Sequence, residues 1–279
     1  MAGSPGRSRG RPKAFHDKSE GSIIQSLDRA MEVLETVASG TGMSLTEIAN
    51  SASQSPATCY RILTTLRKHR MVEFDEVNQL WHVGLQAFRI GSSFLGRSRI
   101  LEISRPIMQG LMSATGETAN LAILDRSEVV FISQVETHET IRAFFRPGTR
   151  GPGHASGIGK AIMAYLPHDH AAKLIPATLE SFTPLTFTNR ESFLRELSSI
   201  RLTGFAVDNE ERTLGMRCIA APIFNAWGEP IAGVSLSGPS VRVRTEFDRQ
   251  FGQLVREAAD EITVATGGTL PAPLPLATG

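Results

Sequence analysis

The 279-residue sequence is poor in several residue types that mark particular kinds of protein. Its two cysteines, Cys59 and Cys218, lie far apart on apolar patterns, which argues against a disulfide framework and suits a reducing compartment. The net charge of +1 gives no global field for nucleic acid. No apolar run approaches the roughly 18 residues of a membrane helix, and no apolar signal segment follows the basic N-terminus. We expect a soluble cytoplasmic protein with no membrane partner.

Residues 44–70 carry the clearest local pattern, which predicts two helices joined by a short polar turn. Ser44 and Glu47 have the spacing of a capping box, and Ser55 followed by Pro56 restarts the helical pattern. Small polar and basic residues then face outward from the second helix, as in the recognition helix of a helix-turn-helix. The alternative is an ordinary helical hairpin whose polar face only meets water.

Two short strands predicted at 72–74 and 80–83 would form the wing of a winged helix. Ahead of the hairpin, Ile24, Leu27, Ala30, Met31, Leu34 and Val37 predict one apolar face of a first helix. An arginine on the recognition helix favours guanine, and an alanine suits a thymine methyl group. The candidate DNA contacts are Ser44, Ser55, Ala57, Thr58, Tyr60, Arg61 and Thr65.

The N-terminal 21 residues are rich in Gly, Ser, Pro and Arg and are expected to be disordered. Within them, residues 9–13 (RGRPK) resemble the core of an AT-hook, an arm that lies in the minor groove. A solvated basic tail that only attracts phosphates is the alternative.

Residues 85–113 predict short linker helices interrupted at Gly91, Gly96 and Pro106. Their many large apolar residues indicate packing against a second copy of the chain or, alternatively, against the chain's own C-terminal domain.

Beyond residue 118 the pattern changes to strands in runs flanked by helices, which indicates an α+β domain with a mostly antiparallel sheet. Strands are predicted at 119–124, 129–135, 141–145, 204–208, 218–224 and 230–238. Helices are predicted at 157–166, 170–175, 190–202 and 245–266. The Pro-rich end from 267 to 279 is expected to be disordered.

The sequence HASGIGKA, residues 154–161, places Gly157 and Gly159 at the start of a helix. Free backbone N–H groups at such a position bind a carboxylate or phosphate. The spacing does not fit a P-loop. A glycine turn with Ser156 as helix cap is the alternative.

Four polar side chains are further candidates: Asp208 and Cys218 at strand ends, and Ser235 and Ser237, two apart on one strand face. Each alone has an ordinary structural explanation, and spacing does not show that the four meet.

Taken together, the chain resembles the IclR family of transcriptional regulators over residues 24–265. The resemblance rests on LTEIA…SPATCYRIL, RPGTRGPGHASGIGKA, DNEERTLGMRC and SLSGPSVRV in that order. It implies a GAF-like second domain that binds a small effector, and homodimers, formed through the DNA-binding part, that pair into homotetramers.

The branch that senses glyoxylate and allantoin metabolism is the most similar. It implies that the effector carboxylate is held by the backbone amides of Gly157 and Ile158, with Asp208, Cys218, Ser235 and Ser237 completing the site. An ionised Asp208 would repel a second carboxylate, which favours glyoxylate or glycolate over a dicarboxylate.

We therefore predict an α+β regulator with a winged helix-turn-helix at 22–84, a helical linker at 85–113 and an effector-binding domain at 114–266. Its partners would be double-stranded operator DNA and a small 2-oxo or hydroxy acid, with no cofactor and no metal. The alternatives are the same regulator with an aromatic acid or lactone, and an enzyme that uses Cys218 or Ser235 as nucleophile. The sequence leaves repressor and activator both open.

Overall fold

A computed structural model describes residues 23–96 and 99–271. The RGRPK motif at 9–13 lies outside these residues, as does the end of the chain from 272. The chain divides into two compact units, one up to residue 97 and one from residue 98. The predicted linker is shared between them, since its first helix belongs to the first unit and its second helix to the second.

The first unit is a winged helix-turn-helix followed by one helix. Its elements are α1 (Gln25–Ser39), α2 (Leu45–Ser51), α3 (Pro56–Lys68), β1 (Val72–Asp75), β2 (Leu80–Val83) and α4 (Leu85–Gly96). The capping box at Ser44 is formed, because the Ser44 N–H donates to Glu47 Oε2 at 2.8 Å and the Ser44 hydroxyl accepts from the Glu47 N–H. β1 and β2 pair antiparallel as the wing, and Trp81 packs on Phe74 with ring centroids 4.7 Å apart.

The apolar face predicted for α1 is only partly correct. Val33 and Val37 are buried in the core with Ile48, Cys59 and Leu63. Ile24, Leu27 and Met31, which the prediction placed in that core, are exposed. These three recur at helical spacing as a separate stripe on the first turns of α1, and spacing alone does not tell a core stripe from an exposed one.

The second unit contains the sheet and the remaining helices. The helices are α5 (Ile100–Thr115), α6 (Gly157–Tyr165), α7 (His168–Leu174), α8 (Arg190–Thr203) and α9 (Asp248–Ala265). The strands are β3 (Thr118–Asp125), β4 (Glu128–Val135), β5 (Arg150–Pro152), β6 (Ala206–Asn209), β7 (Met216–Phe224) and β8 (Pro230–Pro239). The strands of this described part form one sheet in the order β5-β4-β3-β8-β7-β6, with every neighbouring pair antiparallel.

Helices cover both faces of this sheet. Side chains of α5 and α9 form one core with Leu121, Ile219 and Leu236, while α6 and α8 form the other with Ala122 and Ala220. The second linker helix, α5, therefore packs on its own C-terminal domain. This is the alternative that the sequence left open for that part of the linker.

The linker helices are longer than predicted. α4 runs through Gly91 to Gly96, and α5 runs through Pro106. α5 keeps its course because Met108 and Leu111 hold it on the sheet, and this packing outweighs the hydrogen bond that proline cannot donate.

The strand predicted at 141–145 is wrong. These residues form an irregular segment, and the partner of β4 is instead β5. The apolar residues of the segment pack rather than pair, since Phe145 stacks on Phe131 with centroids 4.3 Å apart and Ala143 is buried. A second correction concerns the strand predicted at 204–208, because Gly204, at φ 83°, ends α8 and β6 begins at Ala206.

The predicted start of the disordered tail at residue 267 is too early. The Gly268 N–H donates to the Thr263 carbonyl at 2.7 Å, and the Thr269 N–H donates to the Asn225 carbonyl at 2.9 Å. The chain is thus attached to the β7–β8 turn as far as Thr269.

Candidate functional site

Five of the seven predicted DNA contacts lie at the start or on the first two turns of the helix α3. The Ser55 hydroxyl caps it by accepting from the Thr58 N–H, and Pro56 begins the helix. Ala57, Tyr60 and Arg61 are exposed, while Cys59 and Leu63 hold the opposite side in the core. α3 has basic residues and no acidic residue, so its exposed face suits a polyanion.

Other predicted contacts are already engaged within the chain. The Ser44 hydroxyl belongs to the capping box, and the Thr65 hydroxyl donates to the Arg61 carbonyl at 2.9 Å. The contribution of these two side chains to DNA binding stays a prediction.

In the second unit, α6 begins at the predicted glycines. Ser156 is its cap, with its hydroxyl accepting from the Gly159 N–H, so the capping alternative describes the local geometry correctly. Gly159 must be glycine, because a Cβ there would lie 2.2 Å from the Gly153 carbonyl oxygen. The first intrahelical bond is donated by Lys160 to the Ser156 carbonyl. The N–H groups of Gly157 and Ile158 come before it, where a helix leaves its donors without an intrahelical acceptor.

The structure brings five of the six predicted effector-binding residues together, and the sixth, Ile158, follows Gly157 in the chain with its side chain in the core. Asp208 pairs with Cys218 across β6 and β7, and Cys218 pairs with Ser237 across β7 and β8. The Gly157 N–H faces the Cys218 thiol, and a Cβ on Gly157 would lie 2.9 Å from Cys218 Sγ. The start of α6 thus lies directly over the polar ends of three strands. Effector binding by these residues remains a prediction.

Sequence reasoning missed two members of this cluster. Asn120 on β3 is fully buried and donates from Nδ2 to the hydroxyls of Ser237 (3.1 Å) and Ser235 (3.4 Å). Gln134 on β4 donates to Asn120 Oδ1 at 2.8 Å. The signal was present in the sequence, because an asparagine inside the apolar strand TANLAILD needs a buried polar partner.

A buried ion cluster adjoins the cluster just described and was also missed. Lys160, fully buried, donates through Nζ to Glu211 Oε1 and the Val207 carbonyl, each at 2.6 Å, and to Glu196 at 3.2 Å. The second Glu211 oxygen, Oε2, has no hydrogen-bond partner among the described residues. Lys160 joins α6 to the strand that carries Asp208, and its engagement with carboxylates agrees with the rejection of a P-loop.

Burial raises the pKa of both carboxyl groups in this region. The pKa of Asp208 rises to about 6, although hydrogen bonds from the Glu211 and Arg212 N–H groups and the charge of Lys160 oppose the rise. The pKa of Glu211 rises to about 7 for the same reason, opposed by Lys160. Asp208 is therefore mainly ionised at pH 7, and about half of it is protonated at pH 6.

These two shifts predict that the second unit loses stability as the pH rises from about 4 to about 7. In the unfolded state the pKa values are near 3.8 for Asp208 and 4.5 for Glu211, so the folded state binds each proton more tightly. Ionisation of the two carboxyl groups therefore favours unfolding. Denaturant titrations at pH 5 to 8 should show Asp208→Asn gaining stability relative to wild type as the pH rises. Glu261→Gln, an exposed carboxyl on α9, is the control. If the free energies of unfolding of Asp208→Asn and wild type differ by the same amount at every pH, the pKa of Asp208 is not raised in the folded state.

The enzyme alternative finds little support in this geometry. Burial raises the pKa of the Cys218 thiol to about 11, which leaves it protonated and a poor nucleophile at neutral pH. His154, the histidine nearest in sequence to the glycines, bonds through Nε2 to the Glu180 carbonyl and lies beside Phe182 and Phe193. The described residues contain no group of three or more metal-ligating side chains. None of the described helices is long and apolar enough to cross a membrane.

A surface cleft of about 550 Å³ lies elsewhere in the second unit, beside β5. Its cations are already engaged, since Arg150 pairs with Asp125 and Glu128 and Arg212 stacks on Phe182. It contains none of the six predicted effector-binding residues.

A winged helix-turn-helix joined to a separate α+β domain in one chain defines a DNA-binding transcriptional regulator. Two family models match the chain: the IclR helix-turn-helix domain over residues 26–76, and the bacterial transcriptional regulator IclR C-terminal domain over residues 92–264. The chain belongs to the IclR family. The resemblance seen in the sequence and the predicted α+β fold class are thereby confirmed.

Similar proteins span nearly the whole chain. The HTH-type transcriptional regulator BhcR of Paracoccus denitrificans is 48% identical over 259 residues, which are 92% of each chain. The crystal structure of the Thermotoga maritima IclR has 31% identity and a TM-score of 0.71, covering 88% of this chain and all of that one. An IclR homologue from Microbacterium hydrocarbonoxydans, solved with 4-hydroxybenzoate, has 24% identity and a TM-score of 0.75, covering 86% and 98%.

Proposed function

We propose that this regulator changes its affinity for operator DNA when a small 2-oxo or hydroxy acid binds at the start of α6, with glyoxylate as the leading candidate. The observation that supports the proposal is the position of the Gly157 N–H beside Cys218, which is in turn next to Asp208, Ser235 and Ser237. Backbone N–H groups at a helix start bind a carboxylate, and Asp208 accepts from a hydroxyl at the other end of the ligand.

The close packing around Gly157 limits any ligand at this site to a small one. A single Cβ added to Gly157 would already come within 3.3 Å of Ala220 Cβ as well as meeting the Cys218 thiol. Ser235 and Ser237 are buried beneath it. An aromatic acid is the second candidate, because the Microbacterium homologue binds 4-hydroxybenzoate. It would require α6 and β7 to move apart.

The direct test uses an operator fragment selected by the wild-type protein from random DNA. Fluorescence anisotropy of this fragment is followed while two- to four-carbon oxo and hydroxy acids, and 4-hydroxybenzoate, are added in turn. We expect glyoxylate to shift the DNA titration at micromolar concentration, since two or three charge-assisted hydrogen bonds give modest affinity. If only the aromatic acid shifts the titration, the second candidate replaces the first. If none does, the proposed effector class is wrong.

Arg61→Ala is expected to lower operator affinity by about 1–3 kcal/mol, or roughly fivefold to 150-fold, because an exposed arginine on a recognition helix suits a guanine edge. Effector binding, measured by calorimetry, should be unchanged. Arg195→Ala on α8 removes the same charge from an exposed position in the other unit and is the matched control. Equal DNA affinities for the two variants would remove Arg61 from the recognition surface.

We further propose a homodimer formed through the first unit, with dimers pairing into a homotetramer in the cytoplasm. In support, Leu27 on α1 and Phe88 on α4 are large apolar side chains that are 57% and 67% exposed. Such a dimer would read two half-sites about one helical turn, or a multiple, apart. Sedimentation equilibrium measures the stoichiometry directly.

A further inference from the structure

One row of polar side chains crosses five strands of the sheet on the face covered by α6. Asn120 is registered with Gln134 on one side and with Ser235 on the other. Ser237 is registered with Cys218, and Cys218 with Asp208. The apolar neighbours on these strands, such as Leu121 and Leu236, face the opposite core. The row therefore continues the proposed ligand site by two strands beyond the residues that sequence reasoning found.

Asn120 fixes the direction of hydrogen bonding in this row. Its Nδ2 group donates to both serine hydroxyls, and its Oδ1 accepts from Gln134. An amide nitrogen donates only, so each serine oxygen accepts from Asn120 and its own hydrogen must point elsewhere. The side chain on the far side of the serines is Cys218, against the start of α6. Both hydroxyls are therefore turned toward the Cys218 sulfur, with which each is hydrogen-bonded, and so toward the proposed ligand site at the start of α6.

This direction matters because Asp208 alone does not select a carbonyl ligand. A carboxylate accepts hydrogen bonds, so Asp208 would bind the ammonium group of an amino acid at least as well as a hydroxyl. Two hydroxyl hydrogens turned toward the same space favour the oxygen of a carbonyl or its hydrate, which can accept from both, over an ammonium group, which could bond only to the remaining lone pair of each hydroxyl.

We propose that Asn120 is a positioning residue that holds Ser235 and Ser237 as hydrogen-bond donors, so that the site accepts small oxo acids and rejects the matching amino acids. This inference rests on the proposed function, since it concerns ligands of the same site. Glyoxylate and glycine are the matched probes, because they share the carboxylate and differ in an oxygen or an ammonium group at the other end.

The test is isothermal titration calorimetry of full-length protein with each probe. Asn120→Ala should weaken glyoxylate binding about tenfold, and Asn120→Asp, which can only accept from the serines, should also lower the preference for glyoxylate over glycine by at least tenfold. Asn120→Asp keeps the side-chain shape and an acceptor for Gln134, but it buries a carboxylate, so thermal unfolding must first show that both variants are folded. In the Ser235→Ala/Ser237→Ala background, Asn120→Ala should have almost no further effect, because Asn120 acts through the two hydroxyls.

Three results would contradict the role of Asn120, and only the third would also contradict glyoxylate as effector. Glyoxylate binding by Asn120→Ala within twofold of wild type would remove the positioning role and leave the proposed function intact. The same conclusion would follow if Asn120→Ala lowered glyoxylate affinity by the same factor in the Ser235→Ala/Ser237→Ala background as in the wild-type protein. A folded wild-type protein that binds neither probe would count against glyoxylate as effector, and the role of Asn120 would be rejected with it.

Discussion

Lys160→Ala should destabilise the second unit by about 3–5 kcal/mol, which is the usual cost of removing one partner from a buried ion pair. Lys160 is wholly inaccessible to water, and its ammonium group is the partner of Glu211, whose carboxylate is also buried. Without it, Glu211 must either remain charged and unpaired or take up a proton. Urea titration at pH 8, where Glu211 of the wild-type protein is ionised, measures the loss.

A double variant separates lost charge pairing from lost packing. Lys160→Met with Glu211→Gln removes both charges and keeps most of the volume, so it should recover most of the lost stability. Lys173→Ala, at an exposed position on α7, should change stability by less than about 0.5 kcal/mol. A loss below about 1 kcal/mol for Lys160→Ala would show that the buried pair contributes little.

Gly157→Ala should lower glyoxylate affinity about a hundredfold while leaving operator binding without effector unchanged. The added Cβ lies 2.9 Å from Cys218 Sγ, between α6 and β7, where the ligand carboxylate would bond the Gly157 and Ile158 N–H groups. Losing one or two such bonds, at about 1.5–3 kcal/mol each, gives this magnitude. Calorimetry with glyoxylate and anisotropy with operator DNA measure the two quantities separately.

Gly110→Ala is the matched control for Gly157→Ala. Gly110 lies inside α5, and a Cβ there meets no atom within 4 Å. This control should bind glyoxylate as the wild type does and gain up to about 1 kcal/mol of stability from helix propensity. Wild-type glyoxylate affinity in Gly157→Ala would place the ligand somewhere other than the start of α6.

Features that depend on neighbouring residues were predictable from the sequence. The capping box at Ser44, the Ser55–Pro56 restart and the cap at Ser156 are all present, because each is decided within four residues of chain. The two-residue period of Ser235 and Ser237 likewise placed both hydroxyls on one strand face.

Features that depend on distant contacts were not predictable in this way. Residues 141–145 have the composition of a strand, yet the pairing position beside β4 is taken by β5. Met31 and Val33 lie on the same short helix, and only the packing of α2 and α3 decides that Val33 is the buried one. Lys160 has partners 36 to 51 residues away, so no local pattern identified it as the centre of an ion cluster.

The polar row under α6 has a consequence for how such regulators diversify. Strands in a sheet lie about 4.8 Å apart, so a row from Asp208 to Gln134 extends over roughly 19 Å, several times the length of a two-carbon acid. Each position is a side chain on a regular strand, and exchanging it leaves the backbone pairing in place. For the proposed effector site, a single exchange in this row would therefore change a ligand contact while the sheet keeps its architecture.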